Sequence, residues 1–79
     1  MSERLYKLIA RVMNVPVSQI NDKSGPASID SWTSFNSYVL LYELEREFNV
    51  EFTLDEAIDA KTVIDIKRHL KNHGVALND

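Results

Sequence analysis

Thr33-Ser34-Phe35-Asn36-Ser37-Tyr38-Val39-Leu40-Leu41-Tyr42-Glu43-Leu44-Glu45-Arg46-Glu47-Phe48 is the stretch on which the fold turns. Phe35, Tyr38, Leu41, Leu44 and Phe48 recur at three- and four-residue spacing, and Leu40 and Tyr42 widen the stripe. That period predicts an amphipathic helix over residues 34–48. Thr33 stands just ahead of it, where a hydroxyl can accept from the unpaired amides of the first turn. Tyr38 and Tyr42 are expected as core aromatics with hydrated hydroxyls. Trp32 is expected to pack over the helix start.

Upstream, Leu5, Leu8, Ile9, Val12 and Met13 predict a second amphipathic helix over 3–13, with Arg4, Lys7 and Arg11 on its other side. Asn14 and Pro16 stop it. Residues 15–33 make a long connection, punctuated by Ser24-Gly25-Pro26, with Val15, Val17, Ile20 and Ile29 as points that can pin it to a core. A connection this long in a small domain is usually functional or well packed. Downstream, Thr53 and Glu56 have capping-box spacing and start a short helix over 54–59. Thr62 and Asp65 start the last helix, which carries Val63, Ile66 and Leu70 on one face. Lys67, Arg68 and Lys71 suit its C-terminal dipole, and Gly74 ends it. The fold expected is an all-α four-helix bundle: three principal helices, one short helix and a long first loop. It forms a single domain over 1–74, followed by a mobile tail over 75–79.

Seventy-nine residues suffice for one domain with a thin core. The chain has no cysteine, so disulfides and thiolate metal sites are excluded. No apolar run is long enough to span a bilayer, and the first residues form no signal-peptide pattern; the expectation is a cytoplasmic protein without membrane contact. The net charge of −3 is uneven. Arg4, Lys7, Arg11 and Lys23 slightly exceed Glu3, Asp22 and Asp30 in the first third. In the middle, Arg46 faces Glu43, Glu45, Glu47, Glu51, Asp55, Glu56 and Asp59. Lys61, Lys67, Arg68 and Lys71 outnumber Asp65 and Asp79 at the end. An acidic middle speaks against nucleic acid, which needs clustered cations, and for a basic protein partner; a merely solvated acidic face is the plainer explanation. His69 and His73 could share a metal on one helix face, but two ligands are too few, and a solvated helix end is expected. No metal site, no Ser-His-Asp set and no glycine-rich phosphate loop is present in the pattern, so no catalytic residue is assigned and the protein is not expected to be an enzyme.

Several landmarks together resemble the acyl carrier protein family over residues 3–72. In that family an Asp-Ser-Leu motif opens the second helix, which runs to a Glu-Phe pair. The matching residues are Thr33-Ser34-Phe35 and Leu44-Glu45-Arg46-Glu47-Phe48. Met13-Asn14-Val15 is similar to the family's Leu-Gly-Val at the end of helix one. Val50-Glu51-Phe52 resembles the extended segment after helix two, and Thr62-Val63 the entry into the last helix. All align without a gap when Ser34 is the serine of the motif. Asp30-Ser31-Trp32 offers the literal Asp-Ser pair, but starting there would insert three residues. The stripe would turn by roughly 60° and the helix lengthen by about 4.5 Å. Register therefore prefers Ser34, with Ser31 behind it and Ser37 last.

The resemblance implies a 4′-phosphopantetheine arm, derived from coenzyme A, on the Ser34 hydroxyl. Its thiol would carry acyl or aminoacyl groups as thioesters. It implies as partners a phosphopantetheinyl transferase, acyl- or aminoacyl-loading ligases and synthases of fatty acid biosynthesis or a related pathway. They would dock around Thr33, Phe35, Glu45, Glu47, Glu51, Asp55 and Glu56 of a monomeric carrier. The pattern departs from the family where Thr33 replaces the Asp, and where Asn36, Val39 and Arg46 replace frequent acids. A partner reading a carboxylate beside the serine would lose a contact of about 1.5–3 kcal/mol. This points to a specialised carrier, with Asp30 as a substitute carboxylate. The alternative is a carrier fold that is no longer modified and serves as a protein-interaction module.

Overall fold

Leu5, Leu8, Ile9 and Met13 from the first helix meet Leu40 and Leu44 from the second in the core, joined by Val63, Ile66 and Leu70 from the last. The structure is a computed structural model that describes residues 2–77. In chain order it has α1 (Glu3–Met13), a single 3-10 turn (Val17–Gln19), α2 (Ser34–Phe48), α3 (Leu54–Asp59) and α4 (Val63–Asn72). Among the described residues there is no strand, and the expected all-α four-helix bundle is what forms.

Helix ends follow from local chemistry. Asn14 (φ 57°) and Asn49 (φ 54°) adopt the left-handed conformation that ends α1 and α2. Asparagine tolerates that region better than residues with larger side chains. The Val15 amide reaches back to the Ala10 carbonyl and Val50 to Glu45, so carbonyls left open at each helix end are bonded. Gly74 (φ 85°) does the same for α4, where Val75 donates to Leu70. At the other ends, the Thr53–Glu56 capping box opens α3, and the Asp65 carboxylate accepts from the Lys61 and Thr62 amides ahead of α4.

The long connection is packed down and shapes one end of the molecule. Ile20, Ile29 and Trp32 are buried in the core, whereas Val17 stays exposed. Two of its carbonyls complete α4: Ser24 O accepts from the Val63 amide and Asp22 O from Ile64. Gly25 is required at the crossing, since a Cβ there would meet the Lys61 carbonyl at 2.9 Å. The Asp22 carboxylate pairs with Lys67 Nζ at 2.7 Å and accepts from the Tyr6 hydroxyl, tying the connection to α1 and α4. Within the predicted tail, Val75 and Leu77 pack against the core; Asn78 and Asp79 lie outside the described residues.

One expectation needs correction. The stripe on α2 is not a single core face. Leu40 and Leu44 are buried, Leu41 and Phe48 partly so, but Phe35, Tyr38 and Tyr42 are 73%, 71% and 57% exposed. Tyr38 and Tyr42 are therefore surface aromatics, not core ones.

Candidate functional site

Ser34 is the first residue of α2, and its position is fixed from both sides. Thr33 is extended and caps the helix, its Oγ1 accepting from the Asn36 amide at 3.2 Å. Asn36 Nδ2 turns back to donate to the Ser31 carbonyl at 2.8 Å, bracing the turn before the helix. Trp32, 4% exposed, sits below that turn. Ser34 itself is exposed. Ser31 differs: its hydroxyl donates to the Met13 carbonyl at 2.6 Å and is spent on the end of α1. Asp30 borders a different hollow, beside Met13 and Asn14.

Ser34 opens onto a groove of about 460 Å³ between the long connection, α2 and α3. Tyr38 and Leu41 line it from α2, Leu54 and Ile58 from α3, with Trp32 among its lining residues. Leu54 and Ile58 are 76% and 63% exposed, so this end of the molecule presents an apolar surface around a hydroxyl. Lys23 and Lys61 add two ammonium groups to the lining. The first nine residues of α2, 34–42, contain no charged side chain. The arrangement suits a covalent attachment point with an apolar trough beside it. Among the described residues no group of three or more His, Asp or Glu is placed to hold a metal.

No family model matches the chain. The acyl carrier protein of Azobacteroides pseudotrichonymphae genomovar. CFP2 is 33% identical over 73 residues, which cover 91% of this chain and 86% of that protein. The chain belongs to the acyl carrier protein family. Its general role is thus that of a carrier.

Within this carrier the expected docking acids are spread over α2, the segment after it and α3, and several make contacts of their own. Glu45 and Glu47 lie roughly 16–20 Å further along the helix axis. Glu45 Oε2 accepts from the Phe52 amide at 2.8 Å and anchors the segment after α2. Glu47 pairs with Arg4 of α1 at 2.6 Å, and that guanidinium also stacks over the Phe48 ring at 4.7 Å. Glu43 is drawn toward Arg11 of α1 at 3.3 Å. Glu56 belongs to the α3 cap, and the Thr53 amide, with His73 beside it, holds its carboxyl below the usual carboxylate range. Glu51 and Asp55 are exposed, as are Thr33 and Phe35. Sequence reading passed over Leu54, Ile58, Lys23 and Lys61 as site residues. The available signal was the i, i+4 spacing of Leu54 and Ile58 in a helix too short to bury them. No helix among the described residues is long and apolar enough to cross a membrane.

One of the two histidines also differs from expectation, while His73 is exposed at the helix end. His69 is not part of a solvated helix end: its side chain is 12% exposed, and its Nε2 lies 2.8 Å from Asp59 Oδ2. His73 Nε2 lies 2.9 Å from Glu56 Oε2.

Proposed function

We propose that this protein carries acyl or aminoacyl groups as thioesters on a 4′-phosphopantetheine arm attached to Ser34, for partner enzymes of a fatty-acid-like or specialised pathway inside the cell. The observation that carries the reading is the contrast between the two candidate serines. Ser34 is exposed at the helix start and opens onto an apolar groove, whereas the Ser31 hydroxyl is bonded to the Met13 carbonyl. A phosphate on Ser34 would sit beside first-turn amides at the positive end of the α2 dipole, a favourable place for an anion. Apolar walls next to the attachment point offer an acyl chain shelter from water. The protein supplies position and shelter; partner enzymes supply the chemistry.

The partners are a phosphopantetheinyl transferase and the ligases and synthases that load and use the arm. Thr33, Phe35, Glu47, Glu51 and Asp55 are the expected docking residues that are exposed, and the uncharged start of α2 fits a specialised member acting as a monomer. The exposed aromatics Phe35, Tyr38 and Tyr42 also suit the alternative, an unmodified interaction module.

One experiment separates the two. The protein is incubated with coenzyme A and a broad-specificity phosphopantetheinyl transferase, and its intact mass is measured. A single phosphopantetheine addition is expected, lost in Ser34→Ala and kept in Ser31→Ala. An addition that survives Ser34→Ala, or none at all in the folded wild type, overturns the assignment.

A further inference from the structure

The groove beside Ser34 is charged against the rest of the molecule. The chain carries a net charge of −3, yet among the described residues that line the groove none is Asp or Glu, and Lys23 and Lys61 are both there. The backbone brings the two lysines to one crossing. The Asp22 and Ser24 carbonyls accept from the Ile64 and Val63 amides, so Lys23 lies between two residues bonded to the start of α4. Lys61 comes just before that start, and its carbonyl is the atom against which Gly25 packs.

Neither ammonium is neutralised within the protein. Lys23 donates through its amide to Asn21 Oδ1, and Lys61 through its amide to Asp65 Oδ2. Among the described residues no carboxylate pairs with either side chain, whereas Arg4, Arg11, Lys67 and Arg68 each reach one. The acids closest in sequence are committed elsewhere. Asp22 turns to Lys67, Asp59 to Arg68, and Asp65 to Arg68 and the amides ahead of α4. A groove of about 460 Å³ with apolar walls and a few polar groups has the make-up of a small-molecule site, in which the polar groups select the ligand. Here those groups select for negative charge. A phosphodiester on Ser34 has the first-turn amides of α2 for its oxygens, which leaves the lysines of the crossing for a second anion.

We propose that the groove takes an apolar chain that ends in a carboxylate, with Leu41, Leu54 and Ile58 along the chain and Lys23 and Lys61 receiving the anion. Resting on the carrier reading, this names the cargo class: acyl groups whose far end carries a carboxylate, in preference to plain acyl chains. Both ammonium groups are solvent-exposed, so their contribution is that of two screened charge pairs, enough for a preference and not for absolute selection.

The site is tested first on the apo protein, where no arm on Ser34 takes part. Octanoate and octan-1-ol, equal in chain length, are titrated separately and followed by the amide resonances of Ile58 and Lys61. The ratio of octanoate to octanol affinity should fall about three- to tenfold in Lys23→Gln/Lys61→Gln and be kept in Lys23→Arg/Lys61→Arg. An unchanged ratio in the glutamine variant, or no binding of octanoate at the groove, overturns the proposal. Coenzyme A thioesters of hexanoic and adipic acid then supply two six-carbon cargoes, one plain and one ending in a carboxylate. The adipoyl thioester should hydrolyse about threefold more slowly on the wild type than on the glutamine variant, and the hexanoyl thioester equally on both. Equal adipoyl rates overturn the cargo assignment. So does an octanoate ratio in the holo protein already lowered to that of the glutamine variant, since the arm's phosphodiester would then occupy the lysines. Failure of Ser34 to accept any arm counts against the carrier reading, while the apo titration still decides the site.

Discussion

At Thr33 a single side chain separates folding from recognition. Its hydroxyl caps α2 as an aspartate would, so the helix start is secure without a carboxylate. Thr33→Ala should cost about 1 kcal/mol in urea unfolding. Thr33→Asp should leave stability within about 0.5 kcal/mol, because one cap replaces another. If the loading enzyme reads a carboxylate beside the serine, that same substitution raises kcat/KM for phosphopantetheine transfer; an unchanged kcat/KM would mean the enzyme does not use this position. Asn14 makes a parallel case. Its left-handed conformation is where the family resemblance places glycine, and the sequence alone marked it as a helix stop. Asn14→Gly should be tolerated, whereas Asn14→Ala should lose about 1 kcal/mol from the conformational cost. The role of Ser31 was not legible in this way. Its bond to the Met13 carbonyl joins residues 18 apart, and no local pattern announces it. Helical register nevertheless set Ser31 behind Ser34, because a slip of three residues disturbs the whole second helix.

All four helices could be read from spacing and caps, yet the face that α2 turns inward could not. With 100° per residue, Leu40, Leu41, Leu44 and Phe48 fall within roughly one hundred degrees of each other, while Phe35, Tyr38 and Tyr42 cluster on nearly the opposite side. Leu41 lies between the two groups, so a period count joins them into one stripe. Only packing against α1 chooses between them, and it chooses the leucines. The choice has measurable consequences. Leu44→Ala removes a side chain with no exposed surface and should cost about 3 kcal/mol, or more than 10 °C in Tm for a chain of this size. Tyr38→Ala should stay within about 0.5 kcal/mol, since Tyr38 is a surface residue. A related contact is equally hidden: Glu43 and Glu47 reach arginines on α1, which charge counting along the chain does not reveal. With these acids paired and residues 34–42 uncharged, transfer onto Ser34 should depend little on ionic strength. A steep rise in KM between low and moderate salt would show that the partner instead reads the remaining carboxylates, Glu51 and Asp55 first among them.

Across the whole molecule, the question is what keeps a nineteen-residue connection from opening the end that carries Ser34. Apolar points on it were legible and Ile20 and Ile29 serve as expected, but the polar tie through Asp22 joins three distant segments and left no trace in the sequence. Burial disfavours the Lys67 ammonium, but its bonds to Asp22 and Tyr6 outweigh this and raise it to about 12. The same bonds, Lys67 first, hold the Asp22 carboxyl below the usual aspartate range. The lysine contribution is therefore complete below its ordinary value and lost only in strong alkali. The aspartate contribution is present above the usual carboxylate range and lost as pH falls through its lowered value. Asp22 is 43% exposed, so screening limits the tie to about 1 kcal/mol. Asp22→Asn should accordingly lower Tm by about 4–8 °C at neutral pH. The gap to wild type should stay flat from about pH 5 upward and close only below about pH 4, where wild-type Asp22 also becomes neutral. A melting series from pH 3 to pH 8 checks this: the Asp22→Asn variant should differ from wild type in the acid limb and run parallel to it above about pH 5. A gap that persisted undiminished at pH 3 would mean that the loss comes from packing an amide in place of the carboxylate, and not from the ion pair that ties the connection to α4.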